Sequence, residues 1–531
     1  MLRKSIHLVL SLGLALLLAM PVASTALAQK RGGILNWFDY GDPGRLDIHT
    51  ETPLAVQQAT AGIWSGLLHF SPDDPNKIVP DLATSYKSSN AGKTFNFQLR
   101  KGVKWHDGKP FTSADVVATY NRLLNPEVKA RRCGSVIRPI LDSVSAKGSH
   151  GVEFKLKFPA ATFIPAVASA WCRIAAKHIL ERDGDLQQPK SQIGTGPFKF
   201  KRYERGSVIE WERNPNYYNP ELPYLDGVKI FVLKGTARQV AAAKAGQIHL
   251  WDTWPPMSQS AADELKAARG DDVYMYTWPF NTLWAVHLNT TKPPFDKKDM
   301  RRAVHLALNR QELFQKGFEG LGSPCAVLDY KLYGDWALPK AELDKTPGCR
   351  ADKTEDLAEA RRLVKKHYPN GVDFEIVTRT VGNYADRIQL VAADLRKVGM
   401  RPKIKTYESA AGYAVYGKGD FTVLGTQDTA MFMPDPSGPF SILWTKGAGR
   451  NWEKWDDSNM NKWAEQALRE TDQAKRRALY HKMQRYILNE DASAVPVGYI
   501  EGWFFWDNKV KNYRRANTIY DNSTFMNVWL E

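Results

Sequence analysis

Few side chains in this sequence have the types and spacing that catalysis requires. His106-Asp107 is the nearest approach to an acid–base pair, but the following Gly108 makes a tight turn the better interpretation. Residues 92–94, Gly-Lys-Thr, resemble the last three residues of a phosphate-binding loop, but Lys87 occupies the position where that loop needs its first glycine. Neither G-x-S-x-G nor H-E-x-x-H occurs. We therefore expect no catalytic residues, no cofactor and no enzyme activity. A secreted hydrolase is the alternative, and it would need a nucleophile–base pair or paired carboxylates in a cleft.

The four cysteines have no metal-ligand spacing, because there is no C-x-x-C and no Cys/His cluster. They are Cys133, Cys172, Cys325 and Cys349. Three disulfide connectivities are open to four cysteines. We expect neighbours in sequence to pair, Cys133 with Cys172 and Cys325 with Cys349, because the long interval between the pairs separates two structural lobes.

Residues 1–28 have the pattern of a secretory signal peptide. Arg3 and Lys4 precede an apolar stretch of about fifteen residues, and Ala26-Leu27-Ala28 is a small-x-small cleavage site. The stretch is shorter than the roughly 20 residues that span a bilayer. The mature chain is therefore expected to begin near Gln29 and to work in the periplasm, where disulfides form.

The charge pattern indicates a mixed, solvated surface. Removal of Arg3 and Lys4 lowers the formal net charge from +16 to +14, and the longest basic run is only residues 475–477. Long blocks of like charge, which are typical of interaction tails, are absent. We expect no nucleic-acid partner.

Local patterns predict secondary structure at several places. In residues 94–99, Phe95, Phe97 and Leu99 alternate with polar residues, so this segment is predicted as a half-buried strand. Thr112 and Asp115 have capping-box spacing at the start of an amphipathic helix.

A strand–helix–strand pattern occurs twice. The first covers residues 228–233, 236–245 and 248–251, and the second covers 374–378, 383–398 and 402–406. Each predicts a β-α-β unit in its own mixed sheet. Further helices are predicted at 298–309, 354–367 and 474–489. Together these elements predict an α/β protein with two lobes.

Several motifs resemble the family 5 extracellular solute-binding proteins, which serve ATP-driven importers. The longest is the block VPDLATSY at 79–86, GKTFNFQLRKGVKWHDG at 92–108 and FTSADV at 111–116. Shorter ones are IGTGPFK at 193–199, RNP at 213–215, PF at 294–295 and RRAV at 301–304. The resemblance covers essentially the whole mature chain.

The resemblance implies a two-lobed periplasmic-binding-protein fold of class II type, with an extra subdomain on lobe I. Lobe I would comprise residues 29–275 and 500–531, with the subdomain at about 60–190, and lobe II would comprise 276–499. Two crossing segments near 276–279 and 497–499 would form a hinge. The lobes would close on the solute, and the closed monomer would dock on a membrane permease.

The resemblance also implies a ligand class. Peptide-binding relatives hold the free amino terminus with an aspartate that follows the strand predicted here at 421–424. The same region offers a tryptophan and an arginine in oligopeptide binders, and an ungapped reading puts Ser409, Tyr416 and Met431 near these places. Asp428 lies three residues before the place of the aspartate. Peptides are the expected ligands, with opines or oligosaccharides as the alternative.

Other cleft residues are predicted from family position. They are Asp39, Tyr40, Asn281, Trp284, Asn451 and Trp452. Aromatic faces and amide groups can hold a peptide backbone or a sugar ring. A periplasmic chaperone-like protein is a third hypothesis, and it would expose an open apolar groove instead of an enclosed cleft.

Overall fold

The computed structural model describes residues 29–71, 73, 74, 77–431, 435–491, 493–515, 518 and 525–531. The side chains of residues 409, 410, 426–428 and 430 are outside this description. The predicted signal peptide, residues 1–28, also lies outside the described residues. Within the described ranges, no helix has the length and apolar character needed to cross a membrane.

The strands of the described chain are numbered in chain order. They are β1 (Ile34–Asp39), β2 (Leu68–Phe70), β3 (Ile78–Pro80), β4 (Ala83–Ser89), β5 (Thr94–Leu99), β6 (Leu141–Ala146), β7 (Gly151–Leu156), β8 (Phe198–Glu204), β9 (Val208–Arg213), β10 (Gly227–Val232), β11 (Leu250–Trp251), β12 (Val273–Leu288), β13 (Gly322–Pro324), β14 (Val372–Arg379), β15 (Met400–Tyr407), β16 (Val423–Ala430), β17 (Ala494–Asp507), β18 (Val510–Lys511) and β19 (Trp529–Leu530).

The helices cover these strands. They are Leu54–Thr60, Ser113–Leu124, Cys133–Ile140, Phe163–Ala168, Lys177–Asp183, Thr236–Lys244, Gln259–Arg269, Lys298–Ala307, Arg310–Gly317, Tyr330–Tyr333, Lys340–Leu343, Thr354–His367, Tyr384–Arg396, Ser409–Lys418, Ser437–Pro439, Ser458–Arg469 and Gln473–Asn489.

Three larger sheets organise the molecule. The first has the order β1-β10-β9-β8, with β1 and β10 parallel. The second, β4-β5-β7-β6, lies in the predicted subdomain and is antiparallel. The third has seven strands in the order β11-β17-β12-β16-β14-β15, with β13 also paired to β17. One buried apolar cluster extends through all three sheets.

The two longest strands, β12 and β17, run side by side through the seven-stranded sheet. Residues 273–279 of β12 pair with 501–507 of β17, and residues 283–287 pair with 494–499, with a register shift between the two stretches. Gly498 has φ +151°, and a Cβ there would lie 2.3 Å from the Ser323 carbonyl oxygen, so this turn in β17 requires glycine. The interruption falls in the segments predicted to cross between lobes.

The predicted strand at 94–99 and the predicted capping box are confirmed. β5 is Thr94–Leu99, and Phe95, Phe97 and Leu99 are its buried residues. The helix Ser113–Leu124 begins with the reciprocal capping box of Thr112 and Asp115, in which the Thr112 N–H donates to Asp115 Oδ2 at 2.9 Å.

The two β-α-β predictions have different outcomes. The second is confirmed, because β14 and β15 are parallel neighbours joined by the helix Tyr384–Arg396. The first is wrong as a unit. β10 belongs to the four-stranded sheet, whereas β11 pairs with β17 in the seven-stranded sheet. The predicted strand at 248–251 shortens to Leu250–Trp251, because its partner is a crossing strand some 250 residues away in sequence.

Both predicted disulfides are confirmed. Cys133 and Cys172 are bonded with a Cα–Cα distance of 5.3 Å, and Cys325 and Cys349 with one of 5.6 Å. Both distances are ordinary for a disulfide. Each bond links segments within one predicted lobe.

Candidate functional site

The carboxyl end of β1 carries the first two predicted site residues. Asp39 is fully buried, and its Oδ1 accepts a hydrogen bond from the Gly41 N–H at 3.3 Å. Its Oδ2 has no hydrogen-bond partner within the described part of the chain. Burial raises the pKa of Asp39 to about 8, against the opposing effect of the Gly41 and Tyr40 N–H groups. Tyr40 is half-buried against the main core. Asp39 is therefore mostly neutral at pH 7, and a neighbouring cation would favour its ionised form.

A second buried carboxylate, Asp252, directly follows β11, whose Trp251 ring packs edge-on against Phe38 of β1 at 4.9 Å. Arg515 Nη1 lies 3.3 Å from Asp252 Oδ1, and the Tyr513 hydroxyl donates to Oδ2. Burial raises the pKa of Asp252, and the Arg515 charge and the Tyr513 hydrogen bond oppose that rise. The Arg515 guanidinium also lies 3.9 Å above the ring of Phe504 in β17. This network fastens the C-terminal segment to a crossing strand.

Asn281 and Trp284 lie at the interruption in β12. Asn281 has φ +49°, and its Oδ1 accepts a hydrogen bond from the Tyr333 hydroxyl at 3.1 Å. The Asn281 carbonyl oxygen accepts from the Met431 N–H at 2.9 Å. Trp284 is fully buried, with its ring edge-on to Phe318 at 5.5 Å. Both side chains thus help to pack the predicted lobe II, and their contact with a ligand stays a prediction.

Tyr416 and Trp452 are brought together in the predicted lobe II, with ring centroids 5.5 Å apart. Tyr413 joins them, 6.3 Å from Trp452, and it is 39% exposed, whereas Tyr416 is fully buried. The guanidinium carbon of Arg379 lies 4.2 Å above the Tyr413 ring. The result is a small aromatic cluster in contact with a buried cation.

Asn451 holds the loop that presents Trp452. Its side-chain amide donates to the carbonyl oxygens of Thr445 at 3.0 Å and Trp455 at 2.7 Å, and its Oδ1 accepts from the Trp455 N–H at 2.9 Å. These bonds use both amide hydrogens. Its predicted role in binding is therefore supported only indirectly, through the position of Trp452.

The backbone of Asp428 lies in β16 directly opposite Trp284 in β12, and its side chain is outside the described residues. On the other edge of β16, β14 pairs only with Val423 and Leu424. No strand of the described chain pairs with that edge along residues 425–430. An extended segment with its own main-chain donors and acceptors could pair there.

The predicted site residues thus fall into separate groups. Trp284, Asn281 and the Asp428 backbone share the β12–β16 pair, and Tyr416 and Trp452 share a ring contact. Asp39 and Tyr40 lie on the other predicted lobe.

Arg379, Tyr413 and Arg515 were not predicted. Arg379 is the last residue of β14, one position beyond the strand predicted at 374–378. The sequence signal that could have identified Arg379 is a cation at the carboxyl end of a buried strand. Within the described ranges, no group of three histidine, cysteine, aspartate or glutamate side chains is placed to hold a metal ion.

Comparison with known proteins identifies the fold and the family. The family description "bacterial extracellular solute-binding proteins, family 5 Middle" matches residues 77–451. Di/tripeptide-binding protein 1 of Pseudomonas aeruginosa is 27% identical over 520 residues, which are 92% of this chain and 91% of that protein.

Two solved structures have the same fold. The periplasmic binding protein DppA from Helicobacter pylori, in complex with the peptide STSA, has a TM-score of 0.82 at 25% identity, covering 94% of this chain and 99% of DppA. AgaA from A. tumefaciens R10, in complex with agropinic acid, has a TM-score of 0.80 at 23% identity, covering 94% of this chain and 99% of AgaA. The fold is the two-lobed α/β fold of periplasmic binding proteins, and the family consists of solute-binding proteins, not enzymes. The chain belongs to family 5 of the bacterial extracellular solute-binding proteins.

Proposed function

We propose that this protein captures a short peptide between its lobes and delivers it to an ATP-driven importer. The observation that carries the proposal is the nearly full-length similarity to a di/tripeptide-binding protein, together with the fold shared with DppA, which was solved with a bound peptide.

The unpaired edge of β16 suits a peptide. A peptide in extended conformation can add to a sheet edge, because its main-chain N–H and C=O groups replace those of a neighbouring strand. Residues 425–430 offer such an edge within the described chain. Main-chain pairing would accept many peptide sequences, since it does not depend on the ligand's side chains.

Charged residues at this edge suit the two ends of a peptide. β14 runs parallel to β16, with Val377 opposite Leu424, so Arg379 is level with residue 426, the second residue of the open edge. A guanidinium there suits the ligand carboxylate. Asp428, in the same strand, is our proposed partner for the ligand ammonium, because a buried charge needs an opposite charge.

We propose that binding closes the two lobes on each other. Lobe I comprises residues 29–275 and 500–531, and lobe II comprises residues 276–499. The hinge of this motion would lie in the crossing segments near 276–279 and 497–499. The interruption between residues 279 and 283 of β12, and the glycine at 498, support a hinge at this level. Small-angle scattering should show a smaller radius of gyration with peptide than without it. An equal radius in both states, starting from an open ligand-free protein, would contradict closure.

We further propose that residues 1–28 are removed on export and that the closed monomer meets a membrane permease from the periplasm. The intact mass of the protein purified from the periplasm should correspond to a chain that begins at Gln29. A mass that includes residues 1–28 would contradict cleavage.

The direct test is calorimetric titration with tri-alanine, the peptide STSA, agropinic acid and maltotriose. We expect binding of at least one peptide and none of the sugar. Tri-alanine methylated at the amide nitrogen of its second residue is the matched control, because it keeps both charged ends but loses one main-chain donor. If no peptide binds, the peptide proposal fails. An opine is the second candidate, since the Arg379 cation suits any solute with a carboxylate.

A further inference from the structure

Two contacts join the predicted lobes at a place distinct from the crossing strands. In the first, the guanidinium carbon of Arg469 lies 4.0 Å from the centre of the Phe158 ring. Arg469 is the last residue of the helix Ser458–Arg469 in lobe II. Phe158 follows β7 in the lobe I subdomain and is mostly buried. This is the distance of a cation–π contact.

The second contact is between backbones. An ideal Cβ on Gly449 would lie 3.6 Å from the carbonyl oxygen of Arg131, so the loop that contains Gly447 and Gly449 lies near the subdomain. The adjoining Arg450 N–H donates to the Ile442 carbonyl at 2.9 Å, and this bond fixes the loop within lobe II.

The subdomain presents both contact points from one rigid support. The helix Cys133–Ile140 begins two residues after Arg131, and the Cys133–Cys172 disulfide anchors that end. At the other end, the Lys157 N–H donates to the Ile140 carbonyl at 2.9 Å, and Lys157 Nζ donates to the Arg138 carbonyl at 2.7 Å. Phe158 is therefore fixed relative to Arg131.

Arg469 is also oriented within its own lobe. Its Nη2 and Nε lie 2.8 and 3.2 Å from Glu465 Oε1, one helical turn earlier. This ion pair keeps the guanidinium close to the end of the helix and reduces the side-chain freedom lost when the lobes meet.

We propose that these two contacts, Arg469 with Phe158 and Gly449 with Arg131, form a latch that holds the lobes closed without touching the solute. The proposal rests on the proposed two-lobed capture mechanism. A contact present only in the closed state raises the closed population, and the apparent affinity rises with the fraction of protein that is competent to bind. An exposed cation–π contact would change the open–closed equilibrium by about two- to fivefold.

The test measures opening without any ligand. Lys190→Cys and Arg362→Cys place dyes on exposed positions of the subdomain and of lobe II, and single-molecule energy transfer counts open and closed molecules. We expect Arg469→Ala to raise the open-to-closed ratio about two- to fivefold, and Arg469→Lys to raise it less. Thermal unfolding should change little in either variant, because Arg469 is half exposed.

Lys482→Ala is the matched control. Lys482 Nζ lies 4.2 Å from the Trp463 ring, a similar contact made entirely within lobe II. Its loss should leave the ratio unchanged. An equal shift in the Arg469 and Lys482 variants, or no shift in Arg469→Ala, would overturn the latch. If open and closed molecules are both seen and Arg469→Ala raises the open-to-closed ratio as expected, but the protein binds no peptide, the latch is supported and the peptide proposal is rejected.

Discussion

Asp39, at the end of β1, and Asp252, directly after β11, are both buried carboxylates, yet their surroundings differ. Asp252 has a guanidinium and a tyrosine hydroxyl as partners. Asp39 has one backbone hydrogen bond to Oδ1 and an Oδ2 without a partner in the described chain. Burial raises the pKa of both groups, but at Asp252 a nearby positive charge opposes the rise. Asp252 is equipped to hold the structure together, whereas Asp39 keeps capacity for a further partner.

The largest effect is expected when Asp252 loses its cation. Arg515→Met should lower the free energy of unfolding by about 3–5 kcal/mol, because it leaves a buried carboxylate uncompensated. Urea unfolding at pH 7 measures this. The double variant with Asp252→Asn should recover much of the loss. Arg485→Met, which breaks an exposed ion pair with Glu342, is the control and should cost about 1 kcal/mol or less. A loss as small for Arg515 as for Arg485 would show that Asp252 does not depend on its partner.

A comparable effect, on affinity instead of stability, is expected at Asp428. If its partner is the ligand ammonium, Asp428→Asn should weaken peptide binding more than about a hundredfold while urea unfolding of the free protein changes little. Calorimetric titration with the peptides named above measures this, with Asp420→Asn, an exposed aspartate, as control. Unchanged peptide affinity would remove Asp428 as the ammonium partner.

The smallest effect is expected at Asp39, and it depends on pH. The unfolded chain loses this proton near pH 4, whereas the folded protein keeps it until about pH 8. Between these values the folded state binds more protons, so its stability falls as pH rises, by at most about 1.4 kcal/mol per pH unit. Urea unfolding at pH 5, 6 and 7 should show a shallower decline in Asp39→Asn than in the wild type. Parallel declines in the two proteins would place the Asp39 pKa near its usual value.

The sequence was sufficient where the interactions are local. The capping box of Thr112 and Asp115 lies within four residues, and the β14–helix–β15 unit closes over a short stretch of chain. The cysteine pairs were also predicted correctly, because each lies within one lobe.

Pairing between distant segments could not be predicted. β11 follows β10 closely in sequence but pairs with β17, so the first β-α-β pattern gave the right elements and the wrong sheet. The site shows the same limit. Trp452 was predicted from family position, but its ring contact with Tyr413, and the contact of Tyr413 with Arg379, depend on how a loop, a helix and a strand end meet in space.

The seven-stranded sheet has a consequence for dissecting the molecule into modules. The bounds of the predicted lobes fall inside both β12 and β17, and the two strands pair on either side of their register shift. A fragment of residues 276–499 would therefore end inside both strands, and its residues 276–279 would lack their partners 501–504. It would also cut the apolar cluster that extends through both lobes. Exchange of lobe II between family members should accordingly succeed only when both crossing strands are transferred together with the surfaces that cover them.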